Sequence, residues 1–333
     1  MRIAVDAMGS DNCPGPDVTG ALMAASETDL DIILVGDDNR IAATLDNHGH
    51  NGRPIEVRHS SQAVTMADRP GVAGKEKPDS SMHVGMRMVR DGQADAFVSM
   101  GNTGAALTIA TLFTLRRISG VRRPAVSGIF PIGNRIVIFL DIGANTNSRP
   151  EWLLQFAQMG QIYARRVLNV AVPRIGLISN GEEEGKGDEL VRQTDPLLRD
   201  SGMHYVGNIE PEDVFRDRVD VVISDGFLGN MLVKTFESTS SYVTRLIHEE
   251  IRSDPIAMLA GALLQPAFRR VRRRADTFEV GGAPLLGVNG VVIIGHGRSN
   301  ANAVCNAIKQ AARAVESNVI DAIRSGVNGR MDR

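Results

Sequence analysis

Cysteine, aromatic residues and lysine are all scarce in this chain of 333 residues. The two cysteines, Cys13 and Cys305, form neither a metal-type spacing nor a disulfide framework, so a reducing, cytoplasmic compartment is expected. Aromatics make up 4%, with one Trp, and the net charge is −2. Nucleic-acid binding needs a basic surface and stacking rings, so no nucleic-acid partner is expected. No run of about 18 apolar residues exists, which excludes a spanning helix. Met1-Arg2-Ile-Ala-Val-Asp6 meets an aspartate at once, so no secretory leader is expected. Repeats, low-complexity tracts and an evident linker are also missing, which favours one domain over 1–333. Lysine occurs five times against 32 arginines. Composition bias explains most of that ratio, and it makes Lys186 and Lys234, each in or beside a loop, worth following.

What is present is a core and a pattern. With 43% hydrophobic residues the chain can bury a sizeable interior. Short β-branched runs are each followed by a Gly/Asn/Asp/Ser loop and then a helical stretch. This recurs at Ile3–Asp11, Ile32–Asp37, Ala96–Gly104, Ile136–Asn145, Arg174–Asp188, Val219–Asn230 and Val291–Ser299. Continuous apolar strands alternating with helices indicate an α/β fold with a largely parallel sheet covered on both faces. The loops after such strands gather along one edge, where open α/β folds bind ligands. Helices are expected over Pro14–Glu27, Ser80–Arg90, Thr103–Leu115, Pro150–Leu168 and Asn300–Arg324.

One segment breaks the alternation. Phe236–Arg252 reads as a helix ended by Asp254-Pro255, and a second helical run carries Ile256, Leu259, Leu263, Leu264 and Phe268. Pro266 should kink that second run. Arg269, Arg270, Arg272, Arg273 and Arg274 then crowd five positive charges into six positions. An apolar helical tip beside a cationic patch fits a membrane surface. A dimer-packing hairpin or a dock for an acidic protein partner fits as well.

The loops carry few specific local motifs. Gly181-Glu-Glu-Glu-Gly-Lys-Gly187 is one residue short of a P-loop, and Gly187 stands where a Mg²⁺-binding Ser/Thr is needed. No G-x-G-x-x-G follows the first strand, and no G-x-S-x-G exists. His48-Gly-His50 reads as a solvated loop. What the loops offer is anion binding, because glycine lets backbone N–H groups at helix starts approach a phosphate. Gly101-Asn-Thr-Gly104 and Asp225-Gly-Phe-Leu-Gly-Asn230 are the candidates, and Asn230 and Lys234 share a helix face. His296 sits between two glycines at a strand end. Asp6, Asp11, Asp141 and Asp225 could hold a metal or orient loops; no acidic pair has a recognisable metal spacing, which favours the second. Neither cysteine is placed as a nucleophile, so any acyl chemistry should run by direct attack.

These loops together resemble the bacterial PlsX-type phosphate acyltransferases, essentially end to end. The likeness rests on Ile3–Asp11, Ser80-Ser-Met82, Gly101–Ala105, Asp141–Asn145, Gly176–Gly187, Gly207-Asn208, Asp225–Asn230, Gly281-Gly282 and His296-Gly297 to Asn302–Val304. The resemblance implies a three-layer α/β/α sandwich like that of isocitrate and isopropylmalate dehydrogenases and phosphotransacetylases, a homodimer, and no cofactor or metal. It implies transfer of a fatty acyl group from acyl-(acyl carrier protein) to inorganic phosphate, giving acyl-phosphate for a downstream glycerol-3-phosphate acyltransferase. Peripheral contact with anionic membrane would run through a protruding hairpin over 236–278. In the family's pattern Lys186 and Asn230 match the residues expected to act, with His296 orienting phosphate or carrying a proton. Asp6, Gly9, Asp11, Gly101, Asn102, Thr103, Gly104, Asp141, Asn145, Glu183, Asp225, Gly226 and Lys234 form the expected substrate-binding set. Glu182 to Glu184 are expected to support Lys186. Three departures stand out: Ser10 in place of a second glycine, a less basic Gly74-Lys-Glu-Lys-Pro78, and Ser179-Asn180 for a more usual Asn-Val/Ile pair. Two rival readings are a metal- and NAD-dependent decarboxylating dehydrogenase, against which the missing fingerprint counts, and a membrane scaffold without catalysis.

Overall fold

The apolar runs form strands that divide between two sheets. In this computed structural model the described residues are 1–48, 55–133, 135–275 and 281–327, with backbone alone for 48, 269, 270 and 272–275. The strands are β1 (Arg2–Asp6), β2 (Asp31–Gly36), β3 (Glu56–His59), β4 (Ala96–Ser99), β5 (Ala125–Val126) and β6 (Gly128–Ile132). They continue with β7 (Arg135–Leu140), β8 (Ile175–Ile178), β9 (Tyr205–Ile209), β10 (Val221–Ile223), β11 (Ala283–Leu286) and β12 (Val291–Ile294). One sheet has the order β3-β2-β1-β4-β12-β11-β5 and the other β6-β7-β10-β8-β9. Pairing is parallel except at β11, which runs against both neighbours, and between β6 and β7. In the first sheet Ile3 lies opposite both Ile32 and Ala96, and all three are buried. Burial on both faces is why these strands read as unbroken apolar runs rather than alternating ones.

The segment Pro124–Pro131 serves both sheets. Val126 pairs with Leu285 in the first, and Gly128 pairs with Phe139 in the second. Between them Ser127 is buried, and its N–H and Oγ both donate to the Pro284 carbonyl at 2.9 Å. The helix expected over Asn300–Arg324 is two, Ala301–Glu316 and Val319–Val327, broken at Asn318 with φ +52°. Asn tolerates that left-handed conformation, and sequence periodicity does not see it. Thr103–Leu115 becomes a helix over Thr103–Thr108 followed by a π-helical turn, Ile109–Phe113. The helix expected from Phe236 begins at Gly226 and runs to Ser253. Its cap is the Asp225 carboxylate, which accepts the Leu228 N–H at 2.7 Å.

That early start depends on close packing. A Cβ on Gly229 would lie 2.0 Å from the Asp141 carbonyl oxygen and 2.6 Å from Ser224 Oγ. The Gly226 N–H also donates to the Asn145 carbonyl at 2.8 Å. The long helix is therefore seated on the loop after β7. Pro255–Ala275 forms the return helix, with Pro266 inside it. Leu259 and Leu263 are 70% and 78% exposed, so the pair of helices presents an apolar tip. No helix among the described residues is long and apolar enough to cross a membrane. The side chains of Arg269, Arg270 and Arg272 to Arg274 lie outside the described residues, as do residues 276–278 of the expected hairpin and His50.

Ser10, expected to cost backbone freedom, has no left-handed φ. It is buried, and its hydroxyl donates to Asp17 Oδ2 at 2.5 Å. Asp17 is fully buried at the start of the helix Gly15–Glu27. Burial, the dominant influence, pushes its carboxyl up to about 8; the Ser10 bond opposes this and the charge of Asp6 adds to it.

Two outcomes follow from this packing. Gly229→Ala must displace backbone and should cost about 1–3 kcal/mol, whereas Gly15→Ala, which has open space, should stay within about 0.5 kcal/mol. Equal denaturation midpoints for the two variants would refute the tight seat. An unfolded Asp titrates near 4, so between about pH 4 and pH 8 the folded chain holds a proton that the unfolded chain releases. Stability contributed by that proton is lost as pH rises through this window. Asp17→Asn should therefore raise Tm at pH 8 by several degrees more than at pH 5; the same shift at both pH values would contradict the assignment.

Candidate active site

A cleft of about 460 Å³ opens where the loops of both sheets meet. Gly101–Gly104 contribute from after β4, Gly128–Phe130 from the segment shared by the sheets, and Gly295–Gly297 from after β12. Ile142 and Gly143 follow β7, and Asn230, Val233, Lys234 and Glu237 project from the long helix. The strand-end loops converge as parallel α/β topology requires.

Of the expected residues, Gly101, Asn102, Thr103, Gly104, Asn230, Lys234 and His296 line this cleft together. A second group lies beneath and fixes the loops. Asp6 is buried; its Oδ1 accepts the Met8 N–H at 3.0 Å and its Oδ2 accepts the Ser99 hydroxyl at 2.7 Å. Gly9 fits because a Cβ there would stand 2.8 Å from Asp6 Oδ2 and 3.0 Å from the Gly101 nitrogen. The Asp11 N–H donates to the Gly297 carbonyl at 2.8 Å, tying the first loop to the histidine loop. Asp141 is the main organiser. Its carboxylate accepts N–H groups from Val126 (3.1 Å), Gly143 (3.2 Å), Ala144 (3.0 Å) and Asn145 (2.7 Å), and the Asn145 amide at 2.9 Å. Burial pushes the Asp141 carboxyl up, and these donors offset part of that rise. The second Asn145 amide bond reaches the Pro124 carbonyl at 2.8 Å. Asp225 and Gly226 act through the helix start, as described above. Asn102 caps the Ala105 N–H at 3.0 Å and donates to the Asp68 carbonyl at 3.1 Å. These carboxylates thus orient backbone. Among the described residues no group of three His, Cys, Asp or Glu is placed to hold a metal.

Lys186 and Glu183 stand apart from the cleft. Both are exposed on the loop after β8, where the Lys186 N–H closes a turn onto the Glu183 carbonyl at 3.2 Å. Of the glutamates expected to hold Lys186 and the local backbone, Glu183 does so through that carbonyl, which also accepts the Asn208 amide at 3.4 Å, while Glu182 pairs with Arg218. The Lys186 ammonium makes no ion pair among the described residues. Lys77 of the Gly74–Pro78 stretch is committed to Asp68 at 2.6 Å and to the Ala63 carbonyl at 2.9 Å.

Glu237 was missed by sequence reasoning. Its Oε1 lies 3.6 Å from His296 Nε2 across the cleft. The signal was available, since Asn230, Lys234 and Glu237 fall at i, i+4 and i+7 on one helix side. The cleft therefore combines the Lys234 ammonium, the Asn102 and Asn230 amides and the His296–Glu237 pair. Such a set can gather an anion, donate to a developing oxyanion and hold a proton.

A family described as "Fatty acid synthesis protein" matches residues 1–322. The phosphate acyltransferase of Trichlorobacter lovleyi is 43% identical over 97% of this chain and 93% of its own length. That of Pelotomaculum thermopropionicum is 43% identical over 98% and 95%. Among solved structures, a phosphotransacetylase from Streptococcus pyogenes superposes with a TM-score of 0.61 at 16% identity, covering 95% of this chain and 94% of its own. A 4-hydroxythreonine-4-phosphate dehydrogenase from Klebsiella pneumoniae gives 0.52 at 14% identity, over 94% and 99%. Both share the expected α/β fold. At such identity over nearly the whole length, the chain belongs to the PlsX-type phosphate acyltransferase family and is an acyltransferase.

Proposed function

We propose that the chain transfers a fatty acyl group from the thioester of an acyl carrier protein to inorganic phosphate, releasing acyl-phosphate. The observation that carries this reading is the face formed by Asn230, Lys234 and Glu237 opposite His296. Phosphate binds beside the Lys234 ammonium. A phosphate oxygen attacks the thioester carbonyl carbon, forming the C–O bond as the C–S bond breaks. Asn230 donates to the carbonyl oxygen as it becomes anionic. His296, held by Glu237, takes the proton of the attacking phosphate and returns one to the departing sulfur. A thiol with a pKa near 8.5 leaves without strong acid assistance, so positioning and charge are the main tasks. Neither cysteine lines the cleft, and burial pushes both thiols up, which supports attack without a covalent acyl-enzyme. Lys186, matched by the family's pattern, acts from the exposed loop after β8, outside the cleft, by meeting incoming substrate.

The exposed Ile256, Leu259 and Leu263 support a role for the hairpin in homodimer or peripheral membrane contact. The arginine run after them suits an acidic carrier or anionic lipid.

Incubation with acyl-carrier and phosphate should yield hydroxylamine-trappable acyl-phosphate. Asn230→Ala should lose on the order of 10²–10³ in kcat, Lys186→Ala a comparable amount, and Lys234→Ala should chiefly raise the KM for phosphate. Wild-type turnover by Asn230→Ala would sink the site, whereas wild-type turnover by Lys186→Ala alone would remove only that lysine. Replacing Arg269, Arg270 and Arg272–Arg274 by Ser should weaken both sedimentation with anionic vesicles and carrier binding at low salt; unchanged binding in both assays would overturn the docking role.

A further inference from the structure

The long helix that lines the polar cleft also lines a second cavity on its other side. This groove has a volume of about 450 Å³. Leu228, Met231, Leu232 and Phe236 face it from the helix, and Ile132, Phe139 and Ile178 face it from the second sheet. Among the described residues the polar ones in its lining are Thr235 and Thr239, and none is charged. Aromatic residues are few in this chain, yet four of its ten phenylalanines meet here. The rings of Phe130 and Phe139 are 5.0 Å apart, those of Phe130 and Phe236 6.3 Å, and those of Phe215 and Phe236 5.6 Å. Two residues, Phe130 and Val233, belong to the walls of both the groove and the polar cleft.

We propose that this groove holds the hydrocarbon chain of the acyl donor, with the carbonyl presented to the cleft past Phe130 and Val233. The proposal rests on the acyl-transfer reading of the cleft. With no charge among its described lining residues, the groove is a poor host for phosphate, a carrier surface or a polar peptide, because each would leave charge or amide groups unpaired. The shared wall gives a linear molecule one continuous path from polar to apolar surroundings. Its volume suits a long chain: taking a methylene as about the size of a water molecule, roughly 30 Å³, it accommodates on the order of fifteen. Each methylene transferred from water to such a lining should favour binding about fourfold, so a filled groove sets a steep preference for long donors.

Thr235→Trp and Thr239→Trp place bulk in the groove's lining, and neither position lines the polar cleft. The measurement is the ratio of kcat/KM for sixteen-carbon to four-carbon thioester donors, together with Kd for cis-parinaric acid by fluorescence. The ratio should fall at least tenfold in each folded variant, and parinarate binding should weaken in parallel. An unchanged ratio with unchanged parinarate binding overturns the proposal. So does an unchanged ratio accompanied by an altered oligomeric state in sedimentation, which would make the groove a contact between copies of this chain. If wild-type protein forms no acyl-phosphate from any donor, the proposed function fails. Parinarate binding then decides the groove alone: weakening in the variants supports it, and no change overturns it.

Discussion

The site depends on how closely the long helix approaches the loop after β7. Gly229 rests against the Asp141 carbonyl where no Cβ could fit. The Asp141 carboxylate meanwhile collects N–H donors from Val126 and from 143 to 145. One buried side chain therefore fixes the shared segment, the loop and the seat of the helix. A buried carboxylate is costly without partners, and here the partners are the backbone that must be ordered anyway. Among the described residues no side-chain bond holds Asn230 or Lys234, so both owe their position in the cleft to this contact.

Chemistry and packing then divide along that helix. On one side it presents an amide, an ammonium and a carboxylate; on the other, Leu228, Met231 and Leu232. Phosphate and hydrocarbon have opposite solvation needs, and in the proposed reading a single rod between two cavities serves both without a mixed surface. Phe130 and Val233 mark the border.

Much of the fold was legible because burial on both faces turns parallel strands into apolar runs. The shared face of Asn230 and Lys234 was readable from spacing, whereas the cap at Asp225 and the helix start at Gly226 were not. The split into two sheets was not, because nothing in Ala125–Pro131 signals that the chain changes sheets at Ser127. Nor did composition separate residues that line the cleft from those that hold it up. Asp6, Asp141 and Asn230 are all polar loop-edge residues in sequence, and only their partners distinguish them. Lys186 attracted attention through its glycines and its rarity, yet it stands on an exposed turn. Glu237 was passed over because an acidic residue inside a helix usually faces water.

The same helix runs 28 residues from Gly226 to Ser253, about 42 Å at 1.5 Å per residue. Its first turn is wedged against Asp141, and its far end carries the exposed apolar tip. A rod clamped at one end and loaded at the other is a lever. A surface that loaded the tip would apply a torque at Gly229, one residue from the amide that faces the cleft.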